Sequence, residues 1–598
     1  MKWPARGLSR GERVMSLAYI TLAVYFTLPL LVTGDQLGVE DWDVMLFYHA
    51  SVMKNVVEYG TLPFWNPWYC GGDVLWQNPQ VALLSPAYPL SLVVSLSLAM
   101  KLNIVLHYLV GFLGMHVLLT RMFKLSYLPG VLFLSCLFTL AGGQVFHLVV
   151  GHATFLPYFY LPWVLFFFLR AIDSGQLRYA VITSAIIALA IYNGGIHISF
   201  MAGVALAAFS FVASLLRRDW RPIALLAGVG ALAFLFAAPK LLPVSAFIGD
   251  PRMVDTRFLP TGADTMGREM LMHAFLDSYQ YRHLRFEGQN YGWHEYGNYV
   301  GPLGALLIGA SFIWILLLRR PWQAQHWLST SFALTALVLL SLMLGEFGPY
   351  APYVLLRRLP IASQFRLPSR YSLIFVLFAT AMIASAWQAL STERQGDAGR
   401  FTAIVLVLSS CALAYWNHIQ FEGVFSLPPL QSSFQWLSRP AEPVVDPVSE
   451  GLAQGKSPIL RALAQNRAIL RCYEPLQLPG GIDATRPVVF PEGGAYIADV
   501  VFAPGRIQFR AMSDAEGGRV FLNERYVKGW RSNAGDLQIE PKTGLAYLTL
   551  PPGGGDSFMF WFVPPGLVTG LILLSVGIVL SAAIWRRTLM VQFGHAVR

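Results

Sequence analysis

Charge is scarce in this chain. Asp, Glu, Lys and Arg make up 13% of its 598 residues against 55% hydrophobic residues, and its mean hydropathy is +0.52. A soluble domain carries about a quarter charged residues, so this composition excludes one and indicates a polytopic membrane protein. Cysteine is scarcer still: the four present show no metal-ligand spacing. Cys136 and Cys411 lie in apolar runs, while Cys70 and Cys472 fall in segments read as outside the membrane. A disulfide is permitted there, although spacing alone does not argue for one. Neither a G-x-x-x-x-G-K-S/T phosphate loop nor a G-x-S-x-G elbow is present, and no histidines stand in H-E-x-x-H spacing. The short basic connections leave no room for a nucleotide domain, which argues against an ATP-driven pump.

What the chain has in quantity is apolar runs long enough to cross a hydrocarbon core about 30 Å thick. They fall near 14–33, 98–119, 129–148, 154–170, 179–195, 197–216, 222–241, 299–318, 328–345, 371–389, 401–417 and 565–585, or about 12 helices. The formal charge of +10 comes from basic residues scattered in pairs between these runs, a positive-inside pattern and not a nucleic-acid surface. Arg121/Lys124, Arg170/Arg178, Arg217/Arg218/Arg221, Arg319/Arg320, Arg394/Arg400 and Arg586/Arg587 all alternate onto the side of the basic N-terminus. Both termini are therefore expected in the cytoplasm, with the first run a retained helix. The large loops 34–97, 242–298 and 346–370 then lie outside, within a membrane domain spanning 1–417.

From 418 to 564 the composition shifts to Pro, Gly and charge, and period-two alternation appears in RIQFR, RVFLN, LAYLTL and SFMFWF. This predicts a small extracytoplasmic β-domain, with a sandwich as one option, tethered by a last helix in 565–598.

The first outer loop opens with GDQLGVEDWDVMLFYH, which sets Asp35, Glu40, Asp41 and Asp43 in ten positions. Asp41 and Asp43 flank Trp42, a spacing in which two carboxylates can share a divalent cation or one can serve as base. Trp65, Trp68, Tyr69 and Trp76 follow among Pro and Gly, suited to the bilayer interface and also to stacking on sugars. Basic residues on the outer side are less expected there: Lys240, Arg252, Arg257 and Arg268, then Arg357, Arg358, Arg366 and Arg370. Guanidinium groups at that level suit a lipid phosphate, with snorkelling to headgroups the alternative. His152, His197 and His294 fall near outer boundaries, where each by itself reads as structural.

Several segments in order carry a resemblance: the acidic loop, GTLPFWNP, Gly71-Gly72, LLSPAYPL, Gly151-His152, LLPVSAF with DPR, HEYGNYVGPLGALL, LPIASQFRLPSRY, NERYVKGWRSNAGD and LPPGGGDSFMFWFVPPGLVTGL. Together they resemble the YfhO-like bacterial membrane proteins and, more broadly, glycosyltransferases of the GT-C class. The resemblance implies a GT-C-like fold in a bacterial inner membrane, with an outward-facing site. Such a site moves a sugar, with inversion, from a polyprenyl-phosphate donor to an extracytoplasmic glycan, lipid or protein acceptor.

By that likeness the first-loop base falls on Asp43 or Asp41, and Asp43 aligns better. Arg366, Arg370, Lys240 and Arg252 are expected on the donor phosphate, whose charge grows as the bond breaks. His294, Glu295 and Trp65 are expected in the acceptor pocket. Arg and Lys can serve a lipid monophosphate without metal; the alternative is a divalent cation such as magnesium, manganese or calcium on Asp41 and Asp43. Two other readings use the same outer face: a glycan or lipid transporter, and a non-catalytic scaffold for envelope assembly.

Overall fold

The computed structural model describes residues 9–249, 265–278, 286, 289–318, 326–359, 362–365, 367–393, 399–430, 443–446, 458–470, 472, 481–483 and 485–596. Among these, eight helices are long and apolar enough to cross a membrane, and the bent pair Leu128–Thr139 and Gly142–Val149 makes a ninth if taken as one span. Three shorter apolar helices, Leu177–Tyr192, Gly301–Leu317 and Trp327–Met343, occupy the remaining expected runs. The chain is a multi-pass α-helical membrane protein with a C-terminal β-domain.

Local chemistry sets the ends of these helices. Ser9 opens Arg10–Leu31 as a capping box, its hydroxyl accepting from the Glu12 N–H while the Glu12 carboxylate accepts from the Ser9 N–H. Glu12 also pairs with Arg121 at 2.8 Å, which puts the start of the first helix and the end of Leu96–Val117 at one end of the bundle. At the other end Lys101 donates to Thr33 Oγ1 at 2.7 Å and to the Gly34 carbonyl at 2.8 Å. The loop that follows the first helix leaves from this second end.

The bent pair turns by 41°, and the turn has a cause. Gly142 N–H donates to the Tyr299 carbonyl at 2.8 Å, and a Cβ on Gly142 would stand 2.4 Å from the Tyr299 nitrogen. Only glycine lets the two backbones meet so closely. Gly143 N–H donates to Asn298 Oδ1 at 2.8 Å. The second half of the pair is thereby held against the segment that carries Glu295.

Among the described residues the β-domain is built on one six-stranded antiparallel sheet, with no second sheet packed face to face on it as a sandwich. RIQFR and RVFLN, which read as separate strands, belong to one strand, Arg506–Arg525. Its first part pairs with Gly555–Phe562, its last part with Leu545–Leu550, and Val489–Ala503 lines the opposite edge. The inner side chains Ile507, Phe509, Val520 and Leu522 cluster with Trp65 and Val74 of the first loop and Phe247 of Arg221–Ile248. The sheet thus closes over membrane-domain residues.

Residues just after 418 join the first loop, not the sheet. Phe425–Leu427 pairs with Leu37–Gly38, and the helix Pro458–Ala464 packs on the fully buried helix Trp42–Met53. Cys70 and Cys472 are disulfide-bonded, and Arg525 donates to the Cys70 carbonyl at 3.0 Å.

Lys240 is part of this scaffold. It is fully buried, and its ammonium donates to the carbonyls of Trp76, Asn78 and Val81 at 2.9, 2.8 and 3.2 Å. That pins irregular loop backbone to a membrane helix by satisfying three acceptors at once. Lys240→Met leaves those carbonyls without a charged donor and is expected to cost on the order of 3 kcal/mol. A lowered unfolding temperature in detergent checks this, and an unchanged one contradicts it.

Candidate active site

The site begins with a close backbone contact. After Gly142–Val149 the chain turns through Gly151 at φ +98°, where a Cβ would lie 2.3 Å from the Trp42 nitrogen and 2.6 Å from the Asp41 carbonyl carbon. Glycine is required on both counts. Across this contact the Asp41 N–H donates to the Val150 carbonyl at 3.1 Å, and the Trp42 indole donates to the Leu148 carbonyl at 2.9 Å. Glu40, just before, takes a left-handed φ of +52°, a conformation a non-glycine residue adopts at some cost.

Asp41 stands at the N-cap of Trp42–Met53, yet its carboxylate makes no capping bond. An N-cap aspartate ordinarily satisfies an N–H of the first turn. Here the carboxylate meets His152 instead, with Oδ2 3.1 Å from Nε2. The Asp41 side chain retains 28% exposure, enough to be reached from outside.

From His152 the contacts run inward. Its Nδ1 lies 2.9 Å from Nδ1 of His147. His147 Nε2 lies 3.9 Å from Glu295 Oε2, and Phe155 stacks on the His147 ring at 4.0 Å. Glu295 accepts from Arg370 Nε at 2.8 Å and from Nη2 at 2.6 Å, a bidentate pair. His294 Nε2 stands 3.7 Å from the other Glu295 oxygen, Oε1. Burial alone would raise the Glu295 carboxyl, but the Arg370 charge and hydrogen bonds outweigh it and hold the group well below the carboxylate range. Burial pushes His294 down to about 4, against the attraction of Glu295. The arrangement offers a reachable carboxylate, a pair of imidazoles behind it and a fixed ion pair behind those.

The structure therefore brings Asp41, His294, Glu295 and Arg370 together and separates the rest of the expected set. Asp43 is nearly buried, and its two oxygens accept from the N–H groups of Ile459 at 3.1 Å and Leu460 at 3.0 Å. It caps the helix Pro458–Ala464 and does not join the Arg370 cluster. A cation shared by Asp41 and Asp43 would have to compete with those two N–H groups. Lys240 is occupied by loop carbonyls, and the Trp65 indole donates to Glu524 at 2.8 Å in the core of the β-domain. Arg252 and Arg366 lie outside the described residues. His147 escaped sequence reading, and His152 read as structural; the signal was the H-x-x-x-x-H spacing around a glycine turn.

No family model and no curated protein matches the chain. Among solved structures it is similar to the arabinofuranosyltransferase AftD from Mycobacteria, at TM-score 0.43 and 14% identity over 80% of this chain and 33% of that one. It is also similar to ArnT from Cupriavidus metallidurans bound to undecaprenyl phosphate, at 0.36 and 13% over 76% and 85%. A further likeness is to the arabinosyltransferase EmbB from Mycobacterium smegmatis, at 0.30 and 13% over 94% and 63%. The chain spans about a third of the length of AftD. At these scores the likenesses carry no weight for function.

Asp43 makes a pH dependence testable. Burial raises its carboxyl from 3.8 to about 6, with the Leu460 and Ile459 N–H groups and Arg461 opposing. The folded value exceeds the unfolded one, so its contribution is fully present below the unfolded value and is lost as pH rises through about 6. Amide protection factors across 458–464 should fall between about pH 4 and about pH 6 in the native protein and stay flat in Asp43→Asn. An identical fall in both would refute the assignment.

Proposed function

We propose that the protein is a membrane glycosyltransferase of the GT-C kind. It moves a sugar from a polyprenyl-phosphate donor to an acceptor on the outer face of a bacterial inner membrane, with Asp41 as general base. The observation that carries this reading is the diversion of the Asp41 carboxylate from its capping duty to His152, in front of Glu295 and Arg370. Inverting transfer needs a carboxylate to take the acceptor hydroxyl proton as the anomeric carbon is attacked. Cationic groups must then take up the charge that grows on the departing phosphate. Arg370, held in orientation by Glu295, is proposed to serve there with Arg252 and Arg366. His294 and Glu295 are proposed to border the acceptor.

Sidedness follows the same reading. The Glu12–Arg121 pair joins the start of the first helix to the first basic connection, and Lys101 ties the first loop to the opposite end of the same helices; that opposite end is proposed to face outward. The Cys70–Cys472 disulfide fits an oxidising compartment on that outer side.

Purified protein, reconstituted with a radiolabelled polyprenyl-phosphate sugar and extracted envelope acceptors, tests the proposal. Asp41→Asn is expected to reduce transfer by about 100-fold or more, while Asp43→Asn keeps most of it. Equal transfer by native protein and Asp41→Asn would remove Asp41 as base. No transfer with any donor would favour a transporter or scaffold.

A further inference from the structure

The inner half of the cluster has a composition that base catalysis does not explain. His147, His152 and Glu295 each offer a ligand atom, and all three atoms lie within 4.8 Å of one another. We infer that these three residues form a transition-metal site, with zinc the best-fitting ion, placed directly behind Asp41.

Four observations support it. First, bonds of about 2.0–2.2 Å in a tetrahedral site set ligand atoms about 3.3–3.6 Å apart. One ligand atom from each of the three residues lies within 4.8 Å of the other two; His147 meets His152 through Nδ1 at 2.9 Å and Glu295 through Nε2 at 3.9 Å, so a single ion takes one of its two nitrogens and the side chains draw in around it.

Second, His152 presents its remaining nitrogen to Asp41 at 3.1 Å. That is the outer carboxylate that orients a metal-bound imidazole and strengthens it as a ligand. Third, Glu295 is held in both directions by Arg370. A carboxylate has about four lone-pair positions, so the guanidinium fixes its orientation and leaves capacity for a metal. Fourth, the Phe155 ring against His147 supplies an apolar wall, and the His147 and Glu295 side chains are 2% and 4% exposed. Such a shell limits solvent access to a bound ion.

The ligand set decides the ion. Two imidazoles and one carboxylate suit zinc and its neighbours, whereas magnesium and calcium prefer all-oxygen sites. Three protein ligands also leave a tetrahedral position open, as in sites that take water or substrate. This differs from the cation expected between Asp41 and Asp43, since Asp41 is here an outer partner and Asp43 takes no part.

Metal content tests the site independently of sugar transfer. Full-length protein in detergent, stripped with chelator, equilibrated with zinc and desalted, should hold about one zinc per chain by mass spectrometry. His147→Ala and His152→Ala should lower that at least about five-fold, while His273→Ala, outside the cluster, should not. X-ray absorption at the zinc edge of the native protein reads the ligands without any variant. Two imidazoles with an oxygen donor are expected. Native protein that retains no zinc, or an oxygen-only shell, would overturn the inference. Zinc binding with no sugar transfer would remove the proposed transferase and leave the metal site standing.

Discussion

The Asp41 N–H to Val150 carbonyl bond, made where Gly151 has no side chain, is the contact on which the rest of this end of the bundle depends. It sets the start of the helix Trp42–Met53 against the turn after Gly142–Val149. Because Asp41 is fixed there by its backbone, its carboxylate is delivered to His152 without depending on a flexible loop. The same docking turns Asp43 the other way, towards the helix Pro458–Ala464.

A loop of this length gains little rigidity from its own backbone, and the structure fastens it at several separate points. The strand Phe425–Leu427 pairs with its beginning. Trp65 plugs the β-domain core, Lys240 holds three carbonyls, and the Cys70–Cys472 bond closes the far end. Each fastening joins the loop to a different part of the chain, so they constrain it jointly. The result is a set of polar groups carried on rigid supports, the condition under which a carboxylate and a guanidinium can be held in working geometry.

Much of this architecture was legible in the sequence because it depends on composition over long windows. The apolar runs reappear as helices, and the alternating segments as strands. The site was legible only in part. Asp41 and Asp43 are two residues apart, and positions i and i+2 of a helix do not share a face; their spacing is silent on which face meets Arg370. His147, His152 and Glu295 converge although 142 residues of chain lie between His152 and Glu295, a proximity no local pattern carries. Lys240 and Trp65 were assigned roles from their depth near the outer boundary, but their partners are loop carbonyls and a β-domain glutamate. Depth along a helix is readable from sequence; the direction a side chain takes at that depth is set by packing.

The proposed transfer requires a phosphate-bearing lipid to be held beside Asp41. A cryo-electron microscopy map of the full-length protein in nanodiscs, saturated with a polyprenyl phosphate, tests it most directly. Headgroup density is expected within hydrogen-bonding reach of Arg370, on the same side of the first loop as the Asp41 carboxylate. A phosphate bound elsewhere, with the Asp41–Arg370 cluster unchanged and sealed from it, would contradict the account.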